Sequence, residues 1–444
     1  MQFGEKHVLT LCLLSSVCVG YYFFELFLPA AHEGALSREL AGGYEYGNDF
    51  YQIWLTTQEL LAHRTDPYSP AMQQKIETGL YGRTLDRSAR RDAAVPYRGY
   101  SYPLQANLLL APLGLLSFEG VQIVLSVLLP ICVALAVVCW CWVYGLNFSG
   151  YTLASVIVIA LGTCPVLEGI YALQPTLIVA AILAGAMLLL RRNWLLWAGI
   201  LLALGSMKPH LIVPLAVWLA LWSISDWPRR RAFLISFAVA SAGLLLASQI
   251  WVPGWWLGWW HSLSAYRELN TPPLMRLVLG TAAGYLASFL LIIFGIAAAI
   301  RFRRCEADSS SFLLVSAFVL AITVVVGSSS IAVYDQFLLF PAILWLWCER
   351  RAILRSGWPA RVITLLGLGT FLWPWATASL LTITSPVLSW ARSFRAVLLP
   401  LATAASFPLI TLLLLTLMAW EALRTVETPE RQFPREPVSV RSEP

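Results

Sequence analysis

The chain has 444 residues, of which 59% are hydrophobic and only 12% charged, against about 25% charged in a soluble domain. A water-soluble surface of this size is therefore excluded, and the 20 Trp, many near the ends of apolar runs, suit the headgroup level of a bilayer. The net charge of +6 does not point to nucleic acid, because the basic residues form short clusters between apolar runs and no zinc-knuckle, Walker or GxGxxG pattern accompanies them.

In chain order, the run Val8 to Ala30 is too long for a typical signal h-region and reads as an uncleaved signal-anchor. Residues 31–102 then form a large first extracytoplasmic loop, with amphipathic helices expected at 50–63 and 70–80 and a charged patch from Arg83 to Arg98. The run 103–118 is short and fits a re-entrant or interfacial helix. Further spans are expected at 121–143, 150–166, 173–190, 232–251, 275–300, 311–330, 333–349, 359–383 and 396–420. Between Asn193 and Trp222, Lys208-Pro209 interrupts an apolar run, predicting two short helices, 194–207 and 209–222, that meet at the outer face where Lys208 can snorkel.

The expected fold is therefore all-α: a single integral membrane domain, 1–423, of about 12 spans, followed by a disordered cytoplasmic tail at 424–444 rich in Pro, Glu and Arg. This threading puts the arginine clusters at 191–192, 229–231, 301–304 and 350–355 in cytoplasmic loops, as the positive-inside rule requires. The eight cysteines lie in apolar runs or beside these clusters without zinc-ligand spacing, so neither a disulfide framework nor a structural metal is expected.

Ionisable groups beside apolar spans are costly and so mark function. On the outer side of this topology they are Asp49, Glu168, Lys208, His210, His261, Arg267 and Asp335, accompanied by Gln174 and Tyr334. Asp49, in Gly47-Asn48-Asp49-Phe50-Tyr51, can act as a general base or simply cap the helix over 50–63. Lys208 and His210 can hold a phosphate or be a snorkelling lysine and a satisfied histidine at a helix break. Glu168 and Gln174 can orient sugar hydroxyls or bond between helices. Tyr334-Asp335 follows a serine turn and can equally serve a helix start. The Trp pairs at 255–256 and 259–260, beside His261 and Arg267, read as an interfacial belt or as a stacking surface.

The ordered set Gly47-Asn48-Asp49-Phe50, Asp66-Pro67-Tyr68, Tyr102-Pro103 with Pro112-Leu113, Gln174 and Lys208-Pro209 resembles glycosyltransferase family 87 from about residue 40 to 222. The resemblance implies a GT-C-like membrane enzyme that uses a polyprenyl-phosphate sugar, of the mannosyl- or arabinofuranosyltransferase kind. It makes Asp49 the catalytic residue and puts Lys208 near the donor phosphate. His210, His261 and Arg267 are further phosphate-binding candidates, and Tyr51, Tyr102, Glu168, Gln174, Tyr334 and Asp335 are substrate-binding candidates. The chain departs from the family pattern at Leu104, where a second proline is common, at Leu173, where glycine is common, and at Val333, where a histidine is expected.

The implied partners are the lipid-linked donor, a glycolipid or glycan acceptor and membrane lipids, with no cofactor, no metal and no nucleic acid. The expected location is the cell membrane, with the active site facing the extracytoplasmic side. A transporter or flippase is the rival reading, and it predicts midplane charges and repeated halves; no internal repeat is visible. A non-catalytic envelope-assembly scaffold is the third.

Overall fold

A computed structural model describes residues 4–36, 40, 45–86, 88–89, 92, 95 and 99–424; the expected tail beyond Arg424 and part of the charged patch lie outside the described residues. Among the described residues the structure is helical, with one isolated β-bridge between Pro273 and Ser329. Seven helices are long and apolar enough to cross a membrane, or eight if the bent pair Gly150–Leu161 and Cys164–Tyr171 is one span. Length and composition therefore reach fewer than the twelve spans expected. The difference is four shorter apolar helices, Thr176–Arg191, Leu195–Met207, Pro209–Ser225 and Val333–Cys348.

Local signals explain most helix starts. Ser117, Ser149 and Ser309 each accept a hydrogen bond from a first-turn amide of the following helix, which satisfies an otherwise orphaned donor. The run 103–118 becomes the six-residue helix Leu104–Leu109 and a 3-10 turn over Ala111–Leu115, too short to cross at about 1.5–2 Å per residue. The last expected span, 396–420, lies within one apolar segment of membrane length, Phe394–Arg424. A short helix and a 3-10 turn, Leu399–Thr403, precede the helix Ser406–Arg424.

The helices share two chemically distinct ends. At one end Arg191 donates to the carbonyl of Trp142 at 3.1 Å. After the chain has run out and back through two further helices, Arg230 is only 4% exposed, stacks 4.1 Å from the Trp222 ring, and donates to the carbonyls of Trp222, Arg303, Arg304 and Cys305. A planar fork of donors suits several carbonyls at once. The helices Thr176–Arg191 and Pro209–Ser225 run from this arginine end to the opposite end, where Thr176 and Lys208 meet.

The segment from residue 45 to residue 81 covers that opposite end. Helices Asn48–His63 and Pro70–Tyr81 are joined by the 2.7 Å Lys75–Glu59 ion pair, and the hydrogen bond from the Lys75 ammonium holds the Glu59 carboxyl below its ordinary range. Asn107 donates to Thr56 and Thr57 at 3.0 and 2.9 Å and accepts from Tyr100. This buried network fastens the Leu104–Leu109 helix to the helix Asn48–His63.

Replacing Arg230 with methionine strands several buried carbonyls, and each lost charged hydrogen bond is worth about 1.5–3 kcal/mol. The expected outcome is a loss of about 3 kcal/mol in unfolding free energy, with Arg230→Lys failing to restore it. Thermal unfolding of the detergent-solubilised variants checks both.

Candidate active site

The site is assembled on Gly47. This residue sits at φ +80 and caps the helix Asn48–His63, so the N-cap is a glycine and Asp49 falls in the first turn instead of capping. The Gly47 amide donates to the carbonyl of Tyr171 at 2.8 Å, which pins the start of the helix Asn48–His63 to the end of the helix Cys164–Tyr171. A Cβ on Gly47 would lie 2.7 Å from the Leu173 side chain. Leu173 itself is at φ +53 and fully buried, a backbone state that favours glycine. The chain thus carries its bulk at 173 and its bare backbone at 47.

This turn presents Gln174. Its Nε2 donates to Asp49 Oδ2 at 2.5 Å, and its Oε1 accepts from Lys208 Nζ at 2.7 Å and from the Tyr102 hydroxyl at 3.4 Å. Lys208 Nζ also donates to Thr176 Oγ1 at 2.6 Å, and Thr176 donates to Asp335 Oδ1 at 2.7 Å. Asp335 lies 3.9 Å from both Lys208 Nζ and His210 Nε2. The rings of Tyr334 and Tyr102 stand 4.9 and 5.7 Å from the ammonium, within cation–π range.

Lys208 is 4% exposed, so it does not snorkel. The expectation of an ammonium in polar surroundings is met from inside the protein, by two oxygens, a carboxylate and two ring faces. A buried ammonium is retained only with such compensation. Asp335, 1% exposed, is likewise spent on Thr176 and Lys208; the 3-10 helix Val333–Leu339 that carries it has no side-chain cap. Asp49 is half-buried, and the His210 side chain is 47% exposed. One cluster therefore runs from a reachable carboxylate through a buried amide and ammonium to a reachable imidazole.

Of the residues expected from sequence, Asp49, Tyr102, Gln174, Lys208, His210, Tyr334 and Asp335 come together here. The others sit elsewhere. The Tyr51 ring packs edge-on against Phe118 at 5.1 Å and close over Gly79. Glu168 lies on the helix Cys164–Tyr171 and acts electrostatically on Cys164. His261 and Arg267 are exposed on the helix Trp255–Leu269, outside the hydrogen bonds and ion pairs that tie the cluster together. The Trp pairs on that helix divide: Trp255 is buried and Trp259 donates to the carbonyl of Ser101 at 3.0 Å, whereas Trp256 and Trp260 are exposed.

Thr176 and Tyr266 were not singled out from sequence. Thr176 bridges Lys208 and Asp335, and its position two residues after Gln174 was the available signal. Tyr266 lies within electrostatic reach of the Tyr102 and Tyr334 hydroxyls.

Beside the site is an apolar cavity of about 440 Å³. Val333, Gln336 and Phe337, from the 3-10 helix that presents Tyr334 and Asp335 to Lys208, form one wall. The cavity extends to Val8 and Trp347, toward the arginine end.

A helical membrane protein with a carboxylate, an amide and cations converging at one end of its bundle is built as a membrane-embedded transferase would be. The sequence profile of glycosyltransferase family 87 matches residues 100–329, just over half of the chain, and the chain belongs to that family. The match takes in Tyr102, Gln174, Thr176, Lys208 and His210; it begins after Asp49 and stops before Tyr334 and Asp335. It also reaches later in the chain than the motifs legible in the sequence. No curated protein and no solved structure matches the chain.

Gly47→Ala places a methyl against Leu173 in a left-handed backbone, a strain of about 1–2 kcal/mol before the clash is counted. The variant is expected to melt earlier. The double variant Gly47→Ala/Leu173→Ala should cost less than the sum of the single changes, because the clash disappears. A double-mutant cycle of unfolding free energies tests this coupling.

Proposed function

We propose that this glycosyltransferase moves a sugar, mannose or a pentose, from a polyprenyl-phosphate donor to a glycolipid or glycan acceptor on the extracytoplasmic side of the cell membrane. The observation that carries the reading is the Asp49–Gln174–Lys208 relay, which joins a reachable carboxylate to a cationic centre. In a single inverting displacement Asp49 takes the proton of an acceptor hydroxyl. The hydroxyl oxygen attacks the anomeric carbon, and the bond from that carbon to the phosphate oxygen breaks. The electron pair leaves with the polyprenyl phosphate, whose anion departs into the positive field on the Lys208 side of the site.

Two features support the finer assignments. The apolar cavity behind the Tyr334–Asp335 segment offers a lipid chain a place beside the reacting centre. The arginine clusters gather at the end away from the site, so the positive-inside rule favours a cytoplasmic location for them and a non-cytoplasmic one for the site. Gathering of the ionisable groups at one end also favours an enzyme over a transport path, which would line the midplane. Tyr334 and Tyr102 are suited to face the sugar from the walls of the site.

Purified protein incubated with radiolabelled polyprenyl-phosphate-mannose and glycolipid acceptors should form a labelled product. Asp49→Asn should lower that transfer at least about 100-fold, the scale of general-base catalysis, while inserting into the membrane normally. Undiminished transfer by Asp49→Asn removes the base assignment.

The orientation has its own test. In a background without the eight native cysteines, which are free thiols, Trp260→Cys should react with a membrane-impermeant maleimide applied to intact cells, and Arg303→Cys only after the cells are opened. The reverse pattern would place the site in the cytosol.

A further inference from the structure

Lys208 and His210, the two nitrogen groups beside Asp335, differ in a way that divides their labour. Lys208 is 4% exposed, and its ammonium already donates to Gln174 Oε1 and Thr176 Oγ1 at 2.7 and 2.6 Å. Rings of Tyr102 and Tyr334 wall it on two sides, and Asp335 stands 3.9 Å away. A phosphate would have to enter this buried pocket and displace the rings and the carboxylate that wall the charge. The His210 side chain is 47% exposed and belongs to the first turn of the 17-residue helix Pro209–Ser225, where the helix dipole favours an anion. With its Nε2 turned to Asp335 at 3.9 Å, Nδ1 is the ring nitrogen left to meet one.

We infer that Lys208 is a positioning residue for Asp49 and that His210 is the group that touches the donor phosphate, an assignment that rests on the transferase reading above. The link from Lys208 to Asp49 follows from donor and acceptor chemistry. An ammonium only donates, so Gln174 must turn its carbonyl oxygen to Lys208. Its NH2 then necessarily faces Asp49, and a carboxylate ready to act as a base is acceptor-only. No other orientation of the amide satisfies both neighbours. Lys208 thus sets which end of Gln174 the base meets, and through it holds the carboxylate in place. Thr176 completes the arrangement by accepting from Lys208 while donating to Asp335, which keeps the buried carboxylate supplied with a donor.

The two roles separate in binding and turnover. Farnesyl phosphate binding is measured with full-length protein in nanodiscs, alongside sugar transfer. His210→Gln should weaken farnesyl phosphate binding at least about tenfold, as expected for loss of a charge-assisted contact. Lys208→Met should leave that affinity within about threefold and lower kcat about 100-fold, the scale of a misplaced catalytic group. If Lys208→Met does not fold, Lys208→Met/Asp335→Asn removes both members of the buried pair and must show the same split. A loss of farnesyl phosphate affinity in the lysine variant equal to or greater than that in His210→Gln overturns the assignment, as does unchanged affinity in His210→Gln. Transfer by the wild-type protein in the same preparations reports on the transferase reading itself, so its failure registers there and not in the contrast between variants.

Discussion

An ammonium ion buried among apolar helices organises this molecule. Even after relaxation, withdrawing such a charge from water costs several kcal/mol unless partners replace the lost hydration. For Lys208 those partners come from chain segments far apart: Tyr102, Gln174 with Thr176, and Tyr334 with Asp335. Satisfying one charge therefore fixes the relative placement of the Leu104–Leu109 region, the start of the helix Thr176–Arg191, the break before the helix Pro209–Ser225 and the 3-10 helix Val333–Leu339. Gln174 then carries that order outward to Asp49.

The opposite end of the bundle solves a different problem with a different cation. Arg230 is also buried, yet it has no role in a relay; its guanidinium collects carbonyls at helix ends that would otherwise lack donors. The contrast follows from side-chain chemistry. A rigid fork suits a fixed set of carbonyls, whereas a compact ammonium can occupy a pocket with mixed oxygen and aromatic walls. A structural lock and a site-forming charge thus stand at opposite ends of neighbouring helices.

Much of this arrangement was legible in the sequence, for identifiable reasons. The break at Lys208-Pro209 was visible because proline starts a helix well and a lysine within an apolar run is costly; the observed boundary, Pro209 at the start of its helix, follows it. Leu173 has a structural counterpart: it stands at φ +53, and Gly47, with no side chain, leaves room for it. The burial of Lys208 was not legible. Snorkelling and internal compensation both follow from the same residue in the same run, and the choice depends on partners supplied from elsewhere in the chain. The packing of Tyr51 was hidden for a related reason. Two residues beyond Asp49 on the same helix, it lies about 200° round the axis, and Gly79 and Phe118 offer its ring a nest there.

What the sequence determined by itself was the solvent and the grammar of the fold. Hydrophobic composition, apolar run length and arginine clusters act locally, so they can be read without knowing which helix touches which. The tertiary structure alone decided which ionisable groups meet. Asp49 and Lys208 are separated by most of the first half of the chain, and one glutamine side chain spans the gap between them. Hydrogen bonding at 2.5–2.7 Å is a condition on distance in space, and that distance is set only once the helices have packed.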